Sequence, residues 1–180
     1  MPQQNQPDMS CVPYRRKSLY FALTIPFFAL LVLVFVYLGR FSFFLSLIFM
    51  LLYLAMSYFQ AYCCAYQNCP YVGGFCPAVI GIIPASFISK LLYEGKGIKM
   101  SKKRFDLYAI LGTSCWLALV AFPLYWLAKL GLAIAVGYLA THVIYALIFG
   151  LTICPVCAIR HICPGGKFHQ LFISQGSGDL

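Results

Sequence analysis

Four long apolar runs separated by isolated or clustered basic residues lay out the chain. Uncharged stretches cover 22 residues from Ser18 to Gly39, 49 from Phe41 to Ser89, 22 from Leu107 to Ala128 and 30 from Leu130 to Ile159. A helix of about 20 apolar residues crosses a bilayer. The pattern therefore predicts four spanning helices over roughly 19–38, 41–62, 107–128 and 131–153. Residues 1–17 are polar and end in Arg15-Arg16-Lys17, and no small-residue cleavage site follows the first apolar core. That run reads as a retained helix, not a secretory signal.

Two halves of the chain echo each other. Cys69-Pro70 and Cys154-Pro155 stand 85 positions apart, as do Phe87-Ile88-Ser89 and Phe172-Ile173-Ser174, and Cys76-Pro77 and Cys163-Pro164 stand 87 apart. The expected fold is an all-α membrane protein of four transmembrane helices arranged as two tandem helical hairpins. Each hairpin is followed by a cytoplasmic Cys-rich loop and a short interfacial helix. Expected segments are a cytoplasmic N-terminal stretch 1–17, a first hairpin unit 18–93 with its Cys loop at 63–77, a basic cytoplasmic linker 94–105, a second hairpin unit 106–174 with its Cys loop at 154–164, and a tail 175–180. In 84–93, Phe87, Ile88, Leu91 and Leu92 recur at helical spacing and are expected to dip into the headgroup boundary. Phe168, Leu171 and Phe172 do the same in 168–174.

Composition agrees with a membrane class: 62% of residues are hydrophobic and 9% charged, against about 25% charged in soluble domains. The net charge of +9 raises the question of nucleic acid, and its placement answers it. Eleven of the 13 Lys and Arg fall on one side of the predicted bilayer, with only Arg40 and Lys129 on the other. This is the positive-inside pattern of a plasma or inner membrane protein, with both termini and the Cys loops in the cytoplasm. The same charges favour anionic lipid headgroups, and no nucleic-acid partner is expected.

Seven of the nine cysteines lie in two short runs: Cys63, Cys64, Cys69 and Cys76, then Cys154, Cys157 and Cys163. Four of these precede proline, which ends a helix and holds the thiol on an irregular turn. With only four acidic residues in the chain, the thiolates suit an iron–sulfur cluster, zinc or Cu(I) over hard cations. Three readings stand side by side. The first is a [4Fe–4S] centre held by four or more cysteines and flanked by the positive charge of Arg160, Lys167 and residues 96–104. The second is a thiol-disulfide oxidoreductase using Cys154 and Cys157. The third is a structural zinc site or a soft-metal transporter. The reducing cytoplasm disfavours stable disulfides. Cys115 fits a small buried apolar role, and Cys11 a free thiol. Ligation by Cys69, Cys76, Cys157 and Cys163 is expected first, then by Cys64 and Cys154.

Paired Cys-Pro loops beside four helices resemble the membrane-bound iron–sulfur proteins that feed electrons to nitrate and nitrous-oxide reductases. There, C-x3-C-P motifs occur at helix ends; here the spacings are Cys64-x4-Cys69-Pro70, Cys69-x6-Cys76-Pro77 and Cys157-x5-Cys163-Pro164. The resemblance implies electron transfer from quinol or a soluble donor to a partner reductase. It points to a redox subunit, with an acidic soluble electron carrier or a partner redox subunit as its counterpart, and leaves open whether the chain is itself an enzyme. Four-helix quinone-linked disulfide oxidoreductases are a second likeness, with their cysteines on the opposite face.

His142 lies near the middle of the fourth predicted helix, where an ionisable group is a functional candidate. It could hydrogen-bond a quinone, or ligate haem with Met50 or Met56; the alternative is a neutral imidazole bonded to a neighbouring carbonyl or hydroxyl. His161 and His169 fall near the cysteines and could join a mixed site. Pro26 and Pro123 are expected at kinks, and Ser114, Thr141 and Thr152 as packing groups. Walker, GxGxxG and HExxH motifs do not occur, so phosphoryl transfer and zinc-protease chemistry have no support.

Overall fold

The structure is a computed structural model that describes residues 17–66, 82–93 and 101–152. These form six helical segments: α1 (Lys17–Phe41), α2 (Phe43–Tyr66), α3 (Ile82–Tyr93), α4 (Lys102–Ala121), α5 (Leu124–Leu130) and α6 (Leu132–Thr152). Among the described residues there is no strand. Apolar sequence in lipid must satisfy its backbone groups internally, and the helix does so within one segment. Four helices are long and apolar enough to span: Phe21–Phe41, Phe43–Tyr66, the bent Lys102–Leu130 and Leu132–Thr152. Only 22–24% of each span's most apolar window is buried inside the protein. A bundle this apolar on its outside is an integral membrane protein.

Helices α1 and α2 and the third span are longer than the apolar runs suggested, α6 is slightly shorter, and the turns fall elsewhere. Arg40 and Lys129 occupy the last turns of α1 and α5, where a cation complements the helix dipole. The break between α1 and α2 is at Ser42. Its N–H reaches back to the Leu38 carbonyl at 3.1 Å, while its Oγ accepts from the Phe44 N–H at 3.3 Å, capping α2. Gly131, at φ 154°, separates α5 from α6, a conformation that side chains with a Cβ rarely adopt. Pro123 interrupts the third span, between the Phe122 N–H bonded to Ala118 and the Leu127 N–H bonded to Pro123 itself. Pro26, by contrast, lies inside a continuous α1. The expected linker 94–105 ends early, because α4 begins at Lys102. Cys63 and Cys64, expected in a loop, belong to the last turn of α2.

Helix α2 is the centre of the packing, in contact with α1, α3 and α4, while α5 packs on α6. The core comprises Leu31, Leu38, Met56, Leu119, Tyr138 and Tyr145, among others. Close approach of α1 to α2 relies on Gly39: a Cβ there would lie 2.9 Å from Ser46 Oγ. Ser46 Oγ in turn donates to the Phe35 carbonyl at 3.0 Å. Gly112 is buried where α4 meets α2, and a Cβ added there would make ordinary contact with Phe59 Cβ at 3.5 Å and Gln60 Cγ at 3.7 Å. Thr141 differs from its expected packing role. It is exposed to lipid and donates to the Gly137 carbonyl of its own helix at 2.8 Å, as Thr152 does to Ile148 at 2.6 Å. A hydroxyl facing hydrocarbon has no other acceptor in reach. Ser114 is also exposed.

Candidate functional site

The contacts between helices fix which ends lie together. Helices α1 and α2 run antiparallel, since Ser46 meets Phe35 while Phe28 and Tyr53 line one shared groove. Phe27 of α1 stacks on Tyr145 of α6 with centroids 4.3 Å apart, and Tyr37 donates to the Trp126 carbonyl of α5 at 3.0 Å. Helix α6 is therefore antiparallel to α1 as well. The last residues of α2 and α6, Tyr66 and Thr152, stand at the same end of the bundle. Cys63 and Cys64 are at that end, and Thr152 is two residues before Cys154 in the sequence.

Cys63 and Cys64 are half-buried there. Neighbours on a helix project about 100° apart, so the two thiols open onto different sides of α2. The remaining predicted ligands, Cys69, Cys76, Cys154, Cys157 and Cys163, lie outside the described residues, as do His161, His169 and the interfacial segment 168–174. Among the described residues no three His, Cys, Asp or Glu side chains come together as a metal site. The donor set fits a soft metal or a cluster by its chemistry: two thiols close α2 and no carboxylate lies on that helix.

Beneath the thiols is a feature that the sequence reading missed, a continuous aromatic cluster joining α2, α3 and α4. Tyr62 contacts Tyr108 at 4.8 Å and Tyr93 at 5.6 Å. Phe59 meets Tyr108 at 5.3 Å, and Tyr66 stacks on Phe105 at 4.8 Å. The Tyr62 hydroxyl accepts the Ser101 N–H at 3.1 Å, which anchors the start of α4. Burial, together with the neighbouring Tyr58, pushes the Tyr93 phenol up to about 12. The signal was present as Tyr58, Tyr62 and Tyr66 at steps of four, one face of a helix. Two buried polar atoms at the same end, Gln60 Oε1 and Ser89 Oγ, have no hydrogen-bond partner among the described residues. Gln60 is one turn before Cys64, on the same side of α2.

His142 is buried at 3% exposure in the middle of α6. Its Nδ1 lies 2.9 Å from the Tyr138 carbonyl. A carbonyl only accepts, so Nδ1 donates and Nε2 carries the lone pair. The rings of Tyr138 and Phe27 flank the imidazole at 4.3 and 4.9 Å, filling on two sides the space a haem plane would need. Met56 is fully buried, whereas Met50 lines an open apolar groove between α1 and α2. That groove opens on Phe28, Val32 and Phe35, a different face of α1 from Phe27. The geometry leaves the Nε2 lone pair with one hydrogen bond to accept. Cys115 is half-buried on α4 within the third span and packs against the core.

No protein-family model matches the chain, and neither does any curated protein or solved structure.

Proposed function

We propose that this chain is a membrane-bound iron–sulfur electron-transfer protein or subunit, passing electrons between a cytoplasmic carrier and a quinone or partner subunit. In this reading two tandem helical hairpins carry Cys-rich segments on the cytoplasmic face of a plasma or inner membrane. The observation that carries it is the common end of α2 and α6. Both helices lead in sequence into a cysteine run, so a shared end supports a reading in which ligands from both runs meet. Cys63, Cys64, Cys69, Cys76, Cys154, Cys157 and Cys163 would hold the cluster, which when bound supplies a site for storing one electron at a time.

The chain's own residues would do the rest. Thiolates ligate, and the aromatic cluster under them limits water at the bundle end. Lys102, Lys103 and Arg104 in the first turn of α4 offset the negative charge of a thiolate-bound centre and attract an acidic carrier. The Gln60 and Ser89 polar groups are available to orient or hydrogen-bond ligands, an effect known to tune such sites. His142 Nε2 offers a hydrogen-bond acceptor at mid-membrane depth for a quinol.

Anaerobic purification followed by iron, acid-labile sulfide and zinc analysis, with electron paramagnetic resonance after reduction, decides the matter. Brown protein with stoichiometric iron and sulfide and a cluster signal supports the proposal. Colourless protein with stoichiometric zinc replaces it with a structural zinc or transport site. Metal-free protein in which Cys154 and Cys157 cycle between thiol and disulfide replaces it with thiol exchange.

A further inference from the structure

Helix α3 has two unlike sides. Ala85 and Ser89 are fully buried at 0% exposure, whereas Phe87 and Leu91 on the opposite side are 55% and 74% exposed. Ile88 and Leu92, which share the same spacing in sequence, are half-buried and turn toward the protein. A helix whose outward side is apolar is unstable against water unless something covers it.

The aromatic cluster sets its height. Tyr93, the last residue of α3, rests against Tyr62, one turn from the end of α2, and Tyr62 rests against Tyr108 in the second turn of α4. Tyrosines at this position relative to a span mark the level where headgroups meet acyl chains. On α4, whose Tyr108 belongs to the same cluster, Leu107 and Ile110 are 51% and 64% exposed. The charge there is one-sided. Lys90 of α3 and Lys102, Lys103 and Arg104 of α4 are exposed, and Asp106 is the only acidic group on either helix.

We propose that α3 is a membrane-surface helix that docks on an anionic leaflet. Phe87 and Leu91 enter the headgroup–acyl boundary, and Lys90 and the 102–104 triad bind lipid phosphates. This holds whichever metal or redox group the cysteines carry.

The test uses the full chain in vesicles of equimolar phosphatidylcholine and phosphatidylglycerol, with p-benzoylphenylalanine replacing Phe87 and adducts identified by mass spectrometry. The same probe replacing Leu33, 66% exposed in mid-α1, is the positive control for lipid labelling. The expected result is lipid adducts at position 87 with phosphatidylglycerol favoured several-fold, because a juxtamembrane basic cluster concentrates anionic headgroups. The preference should fall toward unity when Lys90, Lys102, Lys103 and Arg104 are all changed to Gln. Cross-links to protein, silence at 87 while position 33 labels lipid, or equal labelling of the two lipids would each overturn the proposal.

Discussion

At the scale of single residues, two positions make opposite demands. Gly39 is needed for space: a methyl there meets Ser46 Oγ at 2.9 Å and would dislodge the bond to Phe35. Gly39→Ala is expected to cost about 1–2 kcal/mol through overpacking and the lost hydrogen bond. Removing the obstructing hydroxyl with Ser46→Ala should recover part of that loss. Reversible unfolding in mixed micelles over the double-mutant cycle checks this, and strictly additive losses would show that the two residues do not couple. Tyr138 is the converse. Its residue is 4% exposed, yet its hydroxyl has no partner among the described residues. Tyr138→Phe should leave stability unchanged or raise it by up to about 1 kcal/mol, since a desolvated polar group is deleted. A clear loss in the same unfolding assay would reveal a partner for that hydroxyl. The sequence placed His142 near the middle of a spanning helix, and the structure buries it there. The sequence could not show that Nδ1 is committed to Tyr138, because that depends on the rotamer selected by packing against Phe27.

The helical segments follow from local chemistry, but their ends do not. Apolar length predicted four spans, and among the described residues four helices are long and apolar enough to cross; the basic residues used to place the turns proved to lie inside the helices. Ser42 and Gly131 make the breaks because one supplies a capping oxygen and the other tolerates φ 154°. Gly131→Ala is accordingly expected to destabilise the chain by about 1–2 kcal/mol, the range for a residue forced into such backbone. Thermal unfolding measures it, and a neutral result would mean that α5 and α6 can join by another turn. Helix α3 carries its own signature in Tyr93. Burial and Tyr58 raise this phenol from 10.0 to about 12, so the unfolded chain ionises first. Its contribution to stability is complete below pH 10 and is lost as pH rises through 12. Following stability across that window, Tyr93→Phe should flatten the alkaline decline relative to the parent chain, and an unchanged decline would assign it to other groups.

For the whole molecule, the arrangement of ends governs the candidate site. A centre shared between the two cysteine runs has a definite stoichiometric consequence. Cys69→Ser and Cys154→Ser should each lower bound iron to the same extent, and combining them should lower it no further. Two independent losses measured by iron analysis would instead indicate separate sites. The grouping of thiols in two runs was legible from the sequence, as was the expectation that both leave on one side. The aromatic cluster was legible only in part. Tyr58, Tyr62 and Tyr66 advertise a helical stripe, but their partners Tyr93, Tyr108 and Phe105 are distant in sequence and are joined to them by the docking of α3 and α4.

The sequence by itself determined the membrane class, the number of spans and the asymmetry of charge. Each of these is a sum over local residues that a bilayer reads without reference to the fold. Only the tertiary structure decided which face of each helix turns inward, that α2 lies at the centre, and that Phe87 and Leu91 point outward while Ala85 and Ser89 are covered. The reason is physical. In water an apolar stripe points to the core, whereas in lipid both faces of a helix are apolar. Periodicity then loses its sign, and close packing at small residues such as Gly39 and Gly112 selects the interface instead.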